Sequence, residues 1–125
     1  MPLEPGLTAT VEHVVGDADT AAALGSGTVP VLGTPRVLAW VEEASVAAIV
    51  SALGEGETSV GMRVQLDHVQ PSGVGSTIRA EATLEKVEGR RLTFTVNAHD
   101  ERGIVAVGRV TRVVVDRARF LDKID

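Results

Sequence analysis

The 125 residues contain no cysteine and no tyrosine. Without cysteine there is no disulfide, no thiolate nucleophile and no zinc–sulfur site. Aromatic side chains are limited to Trp40, Phe94 and Phe120, too few for the stacking platforms on which nucleic-acid strands lie. Cations are outnumbered, with 12 Lys and Arg against 17 Asp and Glu and a net charge of −5. That balance argues against a broad footprint on nucleic acid or anionic membrane. No apolar run approaches the roughly 20 residues that cross a bilayer. The opening MPLEPGLTATVEH carries acids and prolines instead of a basic segment and an apolar run, which is no secretion signal. Neither nucleic acid nor membrane is expected as a partner, and the expected location is cytoplasmic. A G-x-S-x-G elbow and a P-loop are both missing, and no glycine pair extends to GxGxxG. His13, His68 and His99 are widely separated and form no H-E-x-x-H, so neither a metal nor a cofactor is expected.

What is present reads as one domain over 1–125. An apolar content of 44% and a charged content of 23% describe an ordinary globular chain of sufficient length to bury a core. The stretch GTPRVLAWVEEA opens a helix expected over Thr34–Leu53. Thr34 is the expected cap, because a threonine oxygen can accept a free backbone N–H at a helix start, and Pro35 follows where a missing N–H costs nothing. Val37, Leu38, Ala39, Trp40 and Val41 leave almost no polar face, and Glu42 and Glu43 interrupt the apolar residues. Buried carboxylates are expensive unless something offsets them. No lysine or arginine lies three or four residues from either, so an ion pair along the helix cannot supply the offset. At least one of the two should face inward, and helical periodicity does not say which.

The remaining pattern has period two. Thr8–Val15 is a short strand. Residues 16–33 read as a loop with one helical turn. In Ser59–Val69 the inward row is Val60, Met62, Val64, Leu66 and His68, which leaves Gly61 on the other face. Thr77–Val87, Arg91–His99 and Ile104–Val115 follow, joined by tight turns. Such alternation fits an antiparallel sheet with one covered face, and only one long helix is available to cover it. The expected fold is therefore α+β, with a curved antiparallel sheet wrapped around one central helix and sheet edges that need partners. His68 should point at that helix. His99 falls on the polar face, and His13 can take either side. A carboxylate, a histidine and the threonine at the helix start thus converge on one zone, a set suited to general acid–base work on a carbonyl.

These stretches resemble a known family. VLGTPRVLAWVEEAS, GEGETSVGMRVQLDHV, KVEGRRLTFTVNAHD and VGRVTRVVV are similar to the fluoroacetyl-CoA thioesterases of the hotdog fold. The resemblance implies an acyl-CoA thioesterase acting on a short-chain acyl-CoA, with catalytic residues at Thr34, Glu42 and His68, an acyl-pocket glycine at Gly61 and a substrate-binding arginine at Arg112. It selects Glu42 over Glu43. The segment Ala21–Val31 lacks the aromatic lid of the fluoroacetyl enzyme, so hydrolysis is implied more firmly than fluoroacetyl selectivity. A non-catalytic acyl-CoA carrier is the alternative. A hotdog hydratase ranks below it, because no Asp precedes a His at D-x-x-x-x-H spacing. Hotdog proteins commonly dimerise, so a homodimer or higher homo-oligomer is expected. Thr34 and Glu42 are about 12 Å apart along a helix, too far to grip one thioester carbon, which places Thr34 of one chain near Glu42 and His68 of another.

Overall fold

The computed structural model describes residues 2–124. Strand β1 (Thr8–Val14) leads through a 3₁₀ turn at Asp17–Asp19 and the short helix α1 (Ala21–Leu24) into α2 (Thr34–Ile49). A second 3₁₀ turn (Val50–Ala52) ends the helical stretch before β2 (Glu57–His68), β3 (Thr77–Glu88), β4 (Arg91–Asp100) and β5 (Gly103–Asp116). A final helix, α3 (Arg117–Asp122), is one that the sequence pattern did not announce. Its six residues are too short for periodicity to register. The five strands form one antiparallel sheet in the order β1-β3-β4-β5-β2, so β1 and β2 are its edges.

Alternation fixes the covered face. Ile78, Ala80, Ala82 and Leu84 of β3 and Leu92, Phe94, Val96 and Ala98 of β4 are buried against Val37, Trp40, Val41, Ala44 and Ile49 of α2. Each large side chain in that set contributes roughly 1.5–3 kcal/mol through burial. The helix is not apolar to the core on every side, however. Ala39, Glu43, Val46, Ala47 and Val50 form an exposed strip. A single-layer sheet curls around only part of a helix, and the strip lies on the uncovered part.

Strand β2 departs from strict alternation. Its register against β5 shifts between Gly61 and Arg63, which makes Met62 a bulge residue, half-exposed at 50%. One extra residue in a strand reverses the faces on one side of it. Val64, Leu66 and His68 keep the expected side, but Val60 and Met62 do not point inward. Ser59 and Gly61 take their place, opposite Val114 and Arg112 of β5.

Gly108 permits the tight approach of β5 to β2. A Cβ there would overlap the carbonyl oxygen of Gln65 and lie 3.0 Å from Leu66 Cα. Backbone cannot yield as a flexible side chain can. Gly108→Ala should therefore lower the midpoint of thermal unfolding by several degrees, corresponding to about 1–3 kcal/mol of overpacking. An unchanged midpoint would show that the curvature does not depend on this contact.

Candidate active site

The start of α2 and the end of β2 meet. Gly33, with extended backbone, is the helix N-cap and makes no side-chain cap. Its N–H donates to the Asp19 carbonyl at 2.9 Å. A Cβ on Gly33 would come within 3.0 Å of Leu24 and 3.1 Å of Ala21, so glycine here lets α1 pack closely. Thr34 is consequently the first residue of the helix and not its cap, which corrects the sequence expectation. Its hydroxyl is free for another partner, and Thr34 Oγ1 lies 2.8 Å from His68 Nδ1. The other ring nitrogen, His68 Nε2, is buried without a partner among the described residues. Desolvation holds the His68 pKa below the ordinary histidine value of 6.5, and the nearby Gln70 backbone opposes this only in part. The imidazole is therefore neutral at pH 7. Thr34 and His68 line a pocket of about 360 Å³, together with Val29, Val31 and Leu32 of the segment before α2.

Two turns further along α2, Glu42 finds the cation that its own helix lacks. Arg112 Nη1 of β5 donates to Glu42 Oε2 at 3.3 Å. Arg112 is buried and is fixed by two further bonds, Nε to Ser59 Oγ at 2.8 Å and Nη2 to the Ser59 carbonyl at 3.0 Å. Burial pulls the Arg112 pKa down, and the Glu42 carboxylate pushes it back up. An arginine keeps its charge under such conditions. Glu42 Oε2 also lies over Gly61, where an added Cβ would overlap it. The bulge at Met62 is what turns Gly61 and Ser59 toward this carboxylate.

Glu43 takes the exposed side, where its Oε1 is 2.6 Å from His13 Nε2. The His13 ring stacks on Trp40, with centroids 4.7 Å apart. His13 thus faces the helix and ties the β1 edge to it. His99 stays on the outer, polar face beside Asn97.

Asp100 secures the loop that follows His68. It is buried, accepting from Ser72 Oγ at 3.2 Å and from the Arg102 N–H at 2.8 Å, with the Arg102 guanidinium 3.6 Å away. Ser72 in turn offers its carbonyl to Leu32 N–H at 2.8 Å, two residues before Thr34. Nothing in the alternation marks Ser59, Ser72 or Asp100 for these duties. They fall on no motif, and their partners lie 28 to 53 residues away in sequence.

Within one chain, then, the structure makes two groups: Thr34 with His68, and Glu42 with Gly61 and Arg112. No hydrogen bond joins them among the described residues. Thr34 and His68 belong together, which revises the expectation that they lie on different chains.

Burial works against the charge on Asp100, but the Arg102 and Gly103 amides, the Ser72 hydroxyl and the Arg102 guanidinium prevail and hold its pKa below 3.8. A lowered carboxyl pKa stabilises the fold at every pH above the unfolded value, and the contribution is lost as pH falls through the folded one. Asp100→Ala should thus destabilise the chain by about 1–3 kcal/mol at neutral pH. The difference from wild type should shrink below about pH 4. Denaturant titrations at pH 7 and pH 3.5 measure both quantities, and a pH-independent difference would contradict the assignment.

The model of the fluoroacetyl-CoA-specific thioesterase family matches residues 15–118. A fluoroacetyl-CoA thioesterase from Streptantibioticus cattleyicolor is 33% identical over 115 residues, covering 92% of this chain and 80% of its own. A solved fluoroacetyl-CoA thioesterase structure superposes with a TM-score of 0.93 at 28% identity, over 99% of this chain and 96% of the other. A hot-dog-like protein from Thermanaerovibrio acidaminovorans superposes at 0.90 with 26% identity, over 98% and 90%. The sheet order, the central helix and these likenesses agree: the chain belongs to the fluoroacetyl-CoA-specific thioesterase family and is a thioester hydrolase with the hotdog fold.

Proposed function

We propose that this single hotdog domain hydrolyses a short-chain acyl-CoA to the free acid and CoA, using Thr34, His68 and Glu42. The observation that carries the reading is the contact between Thr34 and His68. One ring nitrogen is engaged by Thr34 at 2.8 Å and the other is buried without a partner. With the proton on Nδ1, His68 donates to Thr34 Oγ1, and Nε2 is left as a base. The Thr34 hydroxyl proton is then free to donate to the thioester oxygen, helped by the positive end of α2. Glu42, held by Arg112, acts as base toward water or as nucleophile toward the carbonyl carbon. In the first course Glu42 takes a proton from the water that adds to the carbonyl, the C–S bond breaks, and that proton passes from Glu42 through His68 Nε2 to the CoA sulfur.

The site is composite. Thr34 and Glu42 are about 12 Å apart along α2, and β2 is an edge of the sheet. A two-fold pairing through β2 would bring Thr34 and His68 of one protomer to Glu42, Gly61 and Arg112 of its partner. Acyl-CoA is the small-molecule partner, and a second copy of this chain is the protein partner.

Thiol release from a panel of short acyl-CoAs tests the activity, and binding without thiol release would indicate a carrier. Glu42→Gln and His68→Ala should each lower turnover about 100-fold or more, in line with general acid–base contributions. Glu43→Gln should do far less.

The rate should fall on acidification as His68 gains its proton. Because burial lowers its pKa, the midpoint of that limb should lie below 6.5. A midpoint at or above that value would remove His68 from the base role.

Subunit mixing tests the shared site. Thr34→Ala mixed with Glu42→Gln should regain part of the activity, since each heterodimer then holds one intact site. Thr34→Ala mixed with His68→Ala should regain none, because both residues come from the same protomer. Rescue of the second mixture and not the first would reverse the grouping.

A further inference from the structure

The cations of this acidic chain are unevenly placed. Residues 90–91 and 109–123 hold seven of the 12 Lys and Arg but only two of the 17 Asp and Glu. Folding gathers these stretches, since β5 runs beside the β3–β4 turn and continues into α3. Between them is a pocket of about 360 Å³ lined by Arg90, Asp116, Arg119, Phe120 and Lys123 and by residues 113–115 of β5.

The charges in this pocket differ in how far they are already used. Asp116 accepts the Arg119 N–H at 3.0 Å, and Glu57, across from Arg90 at 3.7 Å, accepts the Gly54 N–H at 2.8 Å. Both acids are thus engaged by backbone donors. Arg90 also donates to the Val114 carbonyl at 3.3 Å, which fixes it at the rim. The Arg119 guanidinium and the Lys123 ammonium make no ion pair among the described residues. Lys123 Nζ stands 5.9 Å from the centre of the half-buried Phe120 ring. Exposed cations beside one half-buried aromatic ring suit a ligand with several phosphate oxygens and a flat heterocycle.

We propose that this pocket binds the phosphorylated nucleotide end of the acyl-CoA substrate; the assignment rests on the thioesterase reading above. Arg90 grips the carbonyl of Val114, two residues beyond Arg112 on β5. The inner rim of the pocket is therefore only about 7 Å along the strand from the backbone of Arg112, whose guanidinium holds Glu42. The flexible pantetheine arm of CoA separates the thioester from the nucleotide and can bridge such a gap. A chain of net charge −5 repels a polyanionic substrate overall, and a local cationic pocket supplies the attraction where the substrate must land.

The test compares an acyl-CoA with the S-acyl pantetheine of the same acyl group, in wild type and in R119E/K123E. Both substituted side chains are exposed, and a thermal melt verifies the fold. The ratio of kcat/KM for acyl-CoA to that for S-acyl pantetheine should fall about tenfold or more in the variant, the loss expected from reversing two surface charges. The effect should weaken at high salt. An unchanged ratio in a folded variant overturns the proposal. Calorimetry with adenosine 3′,5′-bisphosphate needs no turnover, so it separates failure of this proposal from failure of the thioesterase reading. Binding by wild type that weakens about tenfold in R119E/K123E supports the site, and equal or absent binding in both rejects it. ATP serves as a second probe: ATP binding equal to that of the bisphosphate, together with an unchanged substrate ratio, marks a general nucleotide site and rejects the CoA assignment.

Discussion

A carboxylate on the inner side of the central helix is tolerable here because a guanidinium from β5 meets it. Arg112 reaches Glu42 at 3.3 Å, and the arginine is itself held twice by Ser59. Without that cation the half-buried carboxylate would face the apolar core with no opposite charge to offset it. The arrangement imposes conditions on its surroundings. Residue 61 must lack a side chain, since a Cβ would overlap the Glu42 oxygen, and β2 must bulge at Met62 so that residues 59 and 61 face the helix together. The ion pair, the glycine and the bulge therefore form one constraint.

Much of the architecture was legible because hydrophobic alternation is a direct record of which face is covered. β3 and β4 carry four inward apolar residues each at period two, and all eight are buried. The helix was legible for the same reason, and Glu43 does lie on its solvent strip. Alternation failed at β2. A bulge inserts a residue without leaving a mark in the pattern, and Val60 and Met62 are apolar enough to continue the inward row. The resemblance had named Gly61 as a pocket residue while alternation put it on the opposite face, and the bulge removes that conflict.

The sequence offers candidates for the site more readily than it offers their contacts. Thr34, Glu42, His68, Gly61 and Arg112 could all be named from the sequence, but which touches which depends on how chain ends meet. Threonine commonly caps, which points to Thr34, but Gly33 takes that position and packs closely against α1. The supporting residues Ser59, Ser72 and Asp100 were silent for a physical reason. Their roles arise from contacts between distant strands and loops, and single polar residues on alternating strands look like surface.

The segment between β1 and α2 is closed on itself by Ala21 N–H to the Val31 carbonyl and Gly33 N–H to the Asp19 carbonyl, and is tied to the β2–β3 loop by Leu32 N–H to the Ser72 carbonyl and Val15 N–H to the Ser76 carbonyl. It walls the Thr34–His68 pocket with Val29, Val31 and Leu32, yet Thr34, His68, Glu42 and Arg112 all lie outside it, on α2, β2 and β5. Much of the pocket wall and the groups proposed to react are thus carried by separate parts of the chain. Replacing a dozen residues in this one segment can enlarge, narrow or roof the cavity while the reacting atoms keep their spacing. A fold divided in this way can acquire new substrates by small, local steps without rebuilding its chemistry.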